Sequence, residues 1–535
     1  MTAAGADSQD APVLIAGGGL VGLSAATFLA QQGIRSIAVE RLKESSPLPR
    51  AAFFHMRTLE MFRALGIESE VCRRSEKEFV PEGAIVARDC VSGRTLANII
   101  ANLNEGVEEV SPCRRLFLNQ PTLEPILRAR AREAGADVMQ GTEITGVRQD
   151  ADGVTVSVRS VDGGGERELR APYLIAADGA HSKVREHLGI GYDGRGAFSN
   201  SLTIYFHADL SPWIGHNAWS IIYVNNPALG GFFRMNRAAQ AGFLAINTVG
   251  DPAVDPRAAT NVTSDLSEPR LIELIRAGAG VPDLDVRIDG YTRWRATADV
   301  AQRFQEGRIF IAGDAAHLMP PNGGFGGNTG IHDVHNLAWK LALVLKGHAH
   351  PRLLDTYESE RKPVARFTVE QAFSRYVLRT APWLKATERI EPVAPDFHIE
   401  LGYLYGSPLG VHADPGATRG MPGARAPHLW LLHGGERVST IDLTGRFLLL
   451  AGADGSPWLR AAPEAASQCG GLALDAYCVG RDLEDPEDRF GEAFGVSERG
   501  ASLVRPDGFV AWRSPGPSAD PETALREALG SSLGH

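Results

Sequence analysis

At 535 residues, 44% of them hydrophobic and 22% charged, the chain is too long for one ordinary core and has the balance of a soluble globular protein of two or three domains. Its net charge of −10 gives no global electrostatic reason to bind nucleic acid or an anionic membrane, so small-molecule chemistry is expected. The opening residues carry no basic or apolar signal region, and no run approaches the roughly 18 apolar residues of a membrane span; a cytoplasmic location is the default expectation.

Taken in order, Pro12 to Ala16 is a short apolar run ending in glycines, Leu23 to Gln32 has helical apolar spacing, and Ser36 to Glu40 is again strand-like. A second apolar run, Tyr173 to Ala177, leads into Asp178-Gly179. From about Asn200 to Asp299 the texture becomes alternating and β-rich, which reads as an inserted antiparallel sheet. A third run, Arg308 to Ala312, leads into Gly313-Asp314 and a glycine- and proline-rich loop through Gly330. Helical spacing returns from Asp333 to Lys346 and from Leu353 to about Ala386, and Gly406 to Pro427 reads as a linker. Short strands at Val438 to Gly452 and Ala501 to Arg513 then predict a small separate α/β domain. The five cysteines, Cys72, Cys90, Cys113, Cys469 and Cys478, show neither CxxC nor metal-ligand spacing, so no disulfide framework and no metal site is expected.

Each of the three strand-like runs delivers its polar segment at a strand's C-terminal end, where open α/β sheets bind ligands. In the first turn Gly17 permits the bend, Gly19 lets backbone approach a pyrophosphate and Gly22 lets helix and strand pack closely. Glu40 ends the next strand and can take a ribose hydroxyl pair; an acid there disfavours a 2′-phosphate, which leaves FAD or NAD ahead of NADP. The Pro320 to Thr329 loop has the composition of backbone pressed against a flat ligand, and the following helix N-terminus suits the electron-rich edge of a reduced flavin.

These three elements resemble the FAD fingerprints of the group A flavoprotein monooxygenases, the para-hydroxybenzoate hydroxylase fold, over nearly the first 400 residues. Pro49-Arg50-Ala51, Gln120-Pro121-Thr122-Leu123-Glu124, Asn336 to Leu341 and Leu354 to Arg361 add to the likeness. More narrowly, the chain is similar to the aromatic polyketide hydroxylases of antibiotic pathways, including aklavinone and angucycline hydroxylases. Its tail, Pro422 to His428 with Gly500 to Gly508, resembles their thioredoxin-like domain, here without CxxC and therefore without redox activity.

The resemblance implies a discontinuous FAD-binding domain at 1–195 and 290–400, of Rossmann-like α/β class, a substrate-binding β-sheet domain at 196–289, and a thioredoxin-like domain at 410–535. It assigns FAD to Gly17, Gly19, Leu20, Val21 and Gly22, to Glu40 and Arg41, to Arg50, Gln120 and Asp178, and to Gly313, Asp314, Pro321, Gly324, Gly326, Gly327, Asn328 and Thr329. NAD(P)H would reduce FAD, and a flavin C4a-hydroperoxide would hydroxylate a polycyclic aromatic polyketide; Baeyer–Villiger or ring-cleaving oxygenation on the same scaffold stays open. The chain would act as a monomer or homodimer, with no nucleic-acid or membrane partner.

No general base is identified. Arg379 matches an Arg beside the substrate in the polyketide hydroxylases, where a cation favours phenolate, and a solvated helix-end Arg explains it equally well. Tyr205, Tyr223 and His207 lie on the inserted sheet as packing residues or catalysts, and His332 stands near the flavin loop without a role. Trp219, Ile221, Phe232, Phe233, Met235 and Trp294 suit the walls of a large flat ligand, as they suit a core. A halogenase would need a WxWxIP segment and a disulfide reductase a paired cysteine motif, and the chain has neither; a flavin-binding protein without turnover remains.

Overall fold

The computed structural model describes residues 10–45, 48, 51–247, 265–407 and 410–535. Four short apolar runs, Val13–Ala16, Ser36–Glu40, Tyr173–Ala176 and Ile309–Ile311, are buried along almost their whole length, as strands covered on both faces must be. They pair in parallel in the order Ile309–Ile311, Tyr173–Ala176, Val13–Ala16, Ser36–Glu40, followed by Asp137–Gln140, and Gln305–Glu306 folds back at the far edge. Gly17, Asp178 and Gly313 therefore leave the same ends of three adjacent strands. Residues separated by nearly 300 positions meet at one crevice.

The Leu20–Gln31 helix packs between this sheet and the Phe325–Leu345 helix. The latter begins at Phe325, inside the stretch whose composition reads as loop, rather than at Asp333. The glycines are there for close approach between helices: a Cβ on Gly327 would lie 3.1 Å from Leu20, and one on Gly330 would lie 2.6 Å from Val21. The long helix expected to reach Ala386 is Thr356–Arg379, flanked by 3₁₀ turns at Pro351–Asp355 and Pro382–Ala386.

The β-rich region forms most of an eight-stranded sheet. Its order is His317–Leu318, Arg287–Ala301, Tyr192–His207, Ala241–Asn247, Leu229–Met235, Trp219–Asn226, Ala84–Arg88, Thr95–Ile100. The sheet reaches beyond 196–289, drawing strands from 84–100 and from 287–301, because the long Tyr192–His207 and Arg287–Ala301 strands are shared with the dinucleotide-side core. Along each strand alternate residues face opposite ways. Leu202, Ile204, Phe206, Ile222, Val224, Phe233, Leu244 and Ile246 form a core against the Glu268–Ala279 helix. The other set faces the crevice.

The Gly406 to Pro427 stretch is not a free linker: Val411 packs against the cluster of Val364, Tyr403, Tyr405 and Phe509, and Ala424, Arg425 and Ala426 are buried, with the Gly423 and Ala426 amides donating to the Val510 and Gly508 carbonyls. The C-terminal unit has a four-stranded sheet, Leu474–Cys478, Phe447–Ala451, Ala501–Val504, Val510–Ser514, whose first pair is parallel and whose other pairs are antiparallel. The Ser456–Gln468 and Pro521–Ser532 helices pack on it. Among the described residues no helix is long and apolar enough to cross a membrane.

Candidate active site

A cavity of about 1270 Å³ runs from the glycine turn to the open face of the eight-stranded sheet. At its first end Gly17 has φ +97°, a conformation that favours glycine, and its missing Cβ would meet the Ala177 carbonyl at 2.3 Å. A Cβ on Gly19 would meet only Glu124 Oε1, at 3.7 Å, so this is where backbone lies open to a ligand. The Leu20–Gln31 helix starts there with no side-chain cap and no acid in its first turn, leaving amide N–H groups and a positive dipole end for an anion. Glu40 Oε2 accepts from the Gly18 amide and Oε1 from the Leu42 amide, both at 2.7 Å, and the carboxylate borders the cavity beside Arg41.

Gln120 accepts from the Ala51 amide through Oε1 and donates to Glu124 at 2.7 Å, tying the cavity edge to the Gln120–Glu133 helix. Asp178 Oδ2 accepts from the Val184 amide, while Oδ1 is buried with no protein partner, and burial pushes the carboxyl above its ordinary range. An orphaned carboxylate oxygen and a backbone cradle with no side chain in it are the features a dinucleotide would complete. The residues fit FAD.

Asp333, wholly buried, organises the third motif. It accepts from the Gly313 amide at 3.2 Å, His317 Nε2 at 2.7 Å and Arg361 Nε at 2.8 Å, and so holds Asp314 at the cavity wall. Burial alone would raise its pKa, but His317 and Arg361 bring it below the usual carboxylate range. Gly324, at φ +67°, ends the loop, and the Phe325–Leu345 helix presents uncapped amides and no first-turn acid to the cavity beside Pro321, Gly326 and Gly327. His55 Nε2 donates to the Gly323 carbonyl at 3.0 Å and fixes the loop from outside; burial lowers its pKa, so it is neutral.

Leu20, Val21, Glu40, Arg41, Gln120, Asp178, Asp314, Pro321, Gly324, Gly326, Gly327 and Arg379 all border the cavity, as do Tyr205, Ile221, Phe232 and Trp294. Gly22 and Gly313 do not: a Cβ on Gly22 would sit 1.9 Å from the Gly17 carbonyl oxygen and one on Gly313 2.9 Å from Val21, so both serve packing. Asn328 and Thr329 also face protein. Asn328 accepts from the His55 amide and Thr58 hydroxyl and donates to the Phe53 and Gly324 carbonyls, and Thr329 donates to the Phe325 carbonyl. Arg50 lies outside the described residues.

Three expected wall residues are turned away. Phe233 and Met235 belong to the opposite core by strand alternation, and a register shift between Trp219 and Ile221 puts Trp219 against that core under Arg88, 4.6 Å from its ring. His207 is at an exposed edge beside Asp289, and His332 is buried against the Thr58 hydroxyl, off the cavity. The residues composition did not single out are Thr203, Arg234, Phe243 and Ala245 on the sheet face and Arg375, Asp396 and Glu400 at the far end. Counting in twos from Ile221 finds Tyr223, and the hairpin register then gives Phe232 and Arg234. At the far end Arg375 pairs with Asp396 at 2.8 Å and Arg115 Nε bonds both Glu400 oxygens at 2.9 Å, while Arg379, at the helix C-terminus, has no ion pair among the described residues.

Residues 10–372 match the family described as FAD binding domain, and residues 419–535 match aromatic-ring hydroxylase, C-terminal. The chain is 48% identical to a 4-methyl-5-nitrocatechol 5-monooxygenase of Burkholderia sp over 97% of each chain. It is 38% identical to aklavinone 12-hydroxylase RdmE of Streptomyces purpurascens, over 98% of this chain and 99% of that one. Among solved structures, a ternary complex of aklavinone-11 hydroxylase with FAD and aklavinone matches with TM-score 0.92 and 36% identity, over 99% of this chain and 100% of that one. With geometry, both family matches and full-length relatives in agreement, the chain belongs to the FAD-dependent aromatic-ring hydroxylases and is a monooxygenase that uses FAD.

Proposed function

We propose that the chain hydroxylates a flat, polycyclic aromatic polyketide with NAD(P)H and O2. The observation that carries this reading is the single cavity joining the dinucleotide cradle to a broad sheet face of aromatic and aliphatic side chains. Relatives named for aklavinone and tetracenomycin support the substrate class.

Bound FAD supplies hydride acceptance from NAD(P)H and activation of O2. The chain supplies the rest. Gly17, Gly19 and the first-turn amides of Leu20 and Val21 would carry the pyrophosphate, Glu40 the ribose hydroxyls, and Asp178 and Asp314 the polar middle of the cofactor. Pro321, Gly324, Gly326 and Gly327, beside the Phe325–Leu345 helix N-terminus, would hold its ring system, and Asn328 fixes that loop to the Phe53–His55 segment. Ile221, Tyr205, Phe232 and Trp294 exclude water from the substrate side. Arg379 acts by field: a cation beside a phenol favours the electron-rich phenolate that ring hydroxylation requires.

The C-terminal unit serves as a strut. Its strand order supports the thioredoxin-like reading, and a buried ion pair from Arg425 to Glu60 and a part-buried one from Arg505 to Glu360 clamp it to the catalytic body. One observation favours a second substrate reading, a single-ring substituted phenol: the full-length relative at 48% identity is named for a nitrocatechol. NAD(P)H oxidation and product mass across anthracycline-type aglycones, nitrocatechols and chlorophenols test both. A higher kcat/KM and a gain of one oxygen on a polycycle support the first; turnover confined to single rings replaces it with the second.

A further inference from the structure

Arg234 is the one buried charge on the cavity face of the eight-stranded sheet among the described residues. It is 6% exposed, and among the described residues no carboxylate pairs with it. Its Nη2 donates to Asn119 Oδ1, and its other N–H groups have no acceptor among the described residues. The guanidinium lies over the Phe243 ring at 4.6 Å and the Phe79 ring at 5.3 Å, which position it without neutralising it. Glu78 is near enough to act on it, but that carboxylate is taken by the Asn119 amide and the Thr122 hydroxyl. Burial lowers the Arg234 pKa to about 10, opposed by Tyr205 and Glu78, so the group stays cationic at neutral pH.

A buried cation facing a cavity without an anion is costly to the free protein. A neutral glutamine could hold Asn119 equally well, so the charge calls for another explanation. Guanidinium presents a planar fork of donors that matches oxygen anions. Its register partners Ile221 and Phe243 place it beside the aromatic wall, where a ring would lie.

We propose that Arg234 is an oxyanion subsite: the aromatic substrate binds with an ionised oxygen conjugated to its ring, a phenolate or a hydroxyquinone enolate, directed at this guanidinium. The proposal rests on the aromatic-hydroxylase reading of the cavity and narrows the substrate to acidic phenols and hydroxyquinones.

The test uses the FAD-loaded protein, wild type, Arg234→Gln and Arg234→Lys, with binding read from the flavin absorbance change. The ionised probes are 4-nitrocatechol and 2-hydroxy-1,4-naphthoquinone; the neutral ones are catechol and naphthalene-2,3-diol. Arg234→Gln is expected to weaken the ionised probes by roughly tenfold to a hundredfold and the neutral ones by less than about threefold, with Arg234→Lys between. Equal loss for both classes, or no loss, at wild-type FAD content overturns the subsite. Should Arg234→Gln fail to fold, Arg234→Lys decides: selective weakening of the ionised pair supports the proposal, and wild-type binding of all four overturns it. Failure of the parent reading looks different, since the wild type would then show no substrate-stimulated NAD(P)H oxidation. The single-ring and two-ring arms report which ionised group is taken.

Discussion

Replacing Glu40 by Gln keeps the side chain's size and removes its charge. Glu40 accepts the Gly18 and Leu42 amides at 2.7 Å, one on each oxygen, and each oxygen keeps a second lone pair on a residue that borders the cavity. Glutamine has one acceptor oxygen, so one amide N–H would face an NH2 group, and the FAD ribose would lose a charged acceptor. A hydrogen bond to a charged group contributes about 1.5–3 kcal/mol. At about 1.4 kcal/mol per decade this predicts a rise of roughly 10- to 100-fold in the Kd for FAD. The two amide contacts exist with or without cofactor, so they largely cancel in Kd and appear as a loss of about 1–3 kcal/mol in apoprotein stability. Titrating deflavinated protein with FAD, followed by quenching of flavin fluorescence, gives the first quantity, and unfolding of the apoprotein gives the second. An affinity within about twofold of wild type refutes the ribose assignment. If only stability falls, Glu40 merely fixes the turn.

Adjacent residues on opposite sheet faces should respond differently. Phe233→Ala empties a fully buried site and is expected to lower stability by about 3–5 kcal/mol in denaturant with little change in substrate KM, whereas Phe232→Ala should raise KM with a smaller stability loss. Arg379→Ala is expected to reduce product formed far more than the rate of flavin reduction in stopped flow; equal losses would remove it from the chemistry. Burial would raise the Glu60 pKa, yet Arg425 and Arg57 hold it at about 2 against an ordinary 4.5. A depressed carboxylate stabilises the fold above its unfolded value and loses that contribution as pH falls through the folded one. The stability advantage of wild type over Glu60→Gln should therefore be full at pH 7 and shrink from about pH 4.5 toward 2 in melts taken across pH. A constant difference would contradict the clamp.

The dinucleotide crevice was legible because its signals are local. A tight glycine turn, an acid at the next strand's end and polar motifs after apolar runs each state their own geometry, and Gly17, Glu40, Asp178 and Asp314 all border the cavity. The substrate wall was legible only in part. Which of Phe232 and Phe233 faces inward depends on strand register, and register depends on pairings such as Ile221 with Arg234 that composition does not reveal. Trp219 was misplaced by an irregularity in pairing, a feature with no residue signature of its own. The Phe325 helix start was hidden because glycines needed for contact with Leu20 and Val21 look like glycines needed for a loop. The Asp333–His317–Arg361 cluster joins residues whose sequence spacing gives no hint of contact.

The most direct measurement of the central claim is turnover under oxygen-18 gas with NAD(P)H and an aromatic substrate, read by mass spectrometry of the product. One labelled oxygen atom on the substrate ring, matched to consumed NAD(P)H and abolished when FAD is removed, is the predicted result. NAD(P)H oxidation that yields only hydrogen peroxide across every aromatic tested, or product whose added oxygen comes from water, would contradict it.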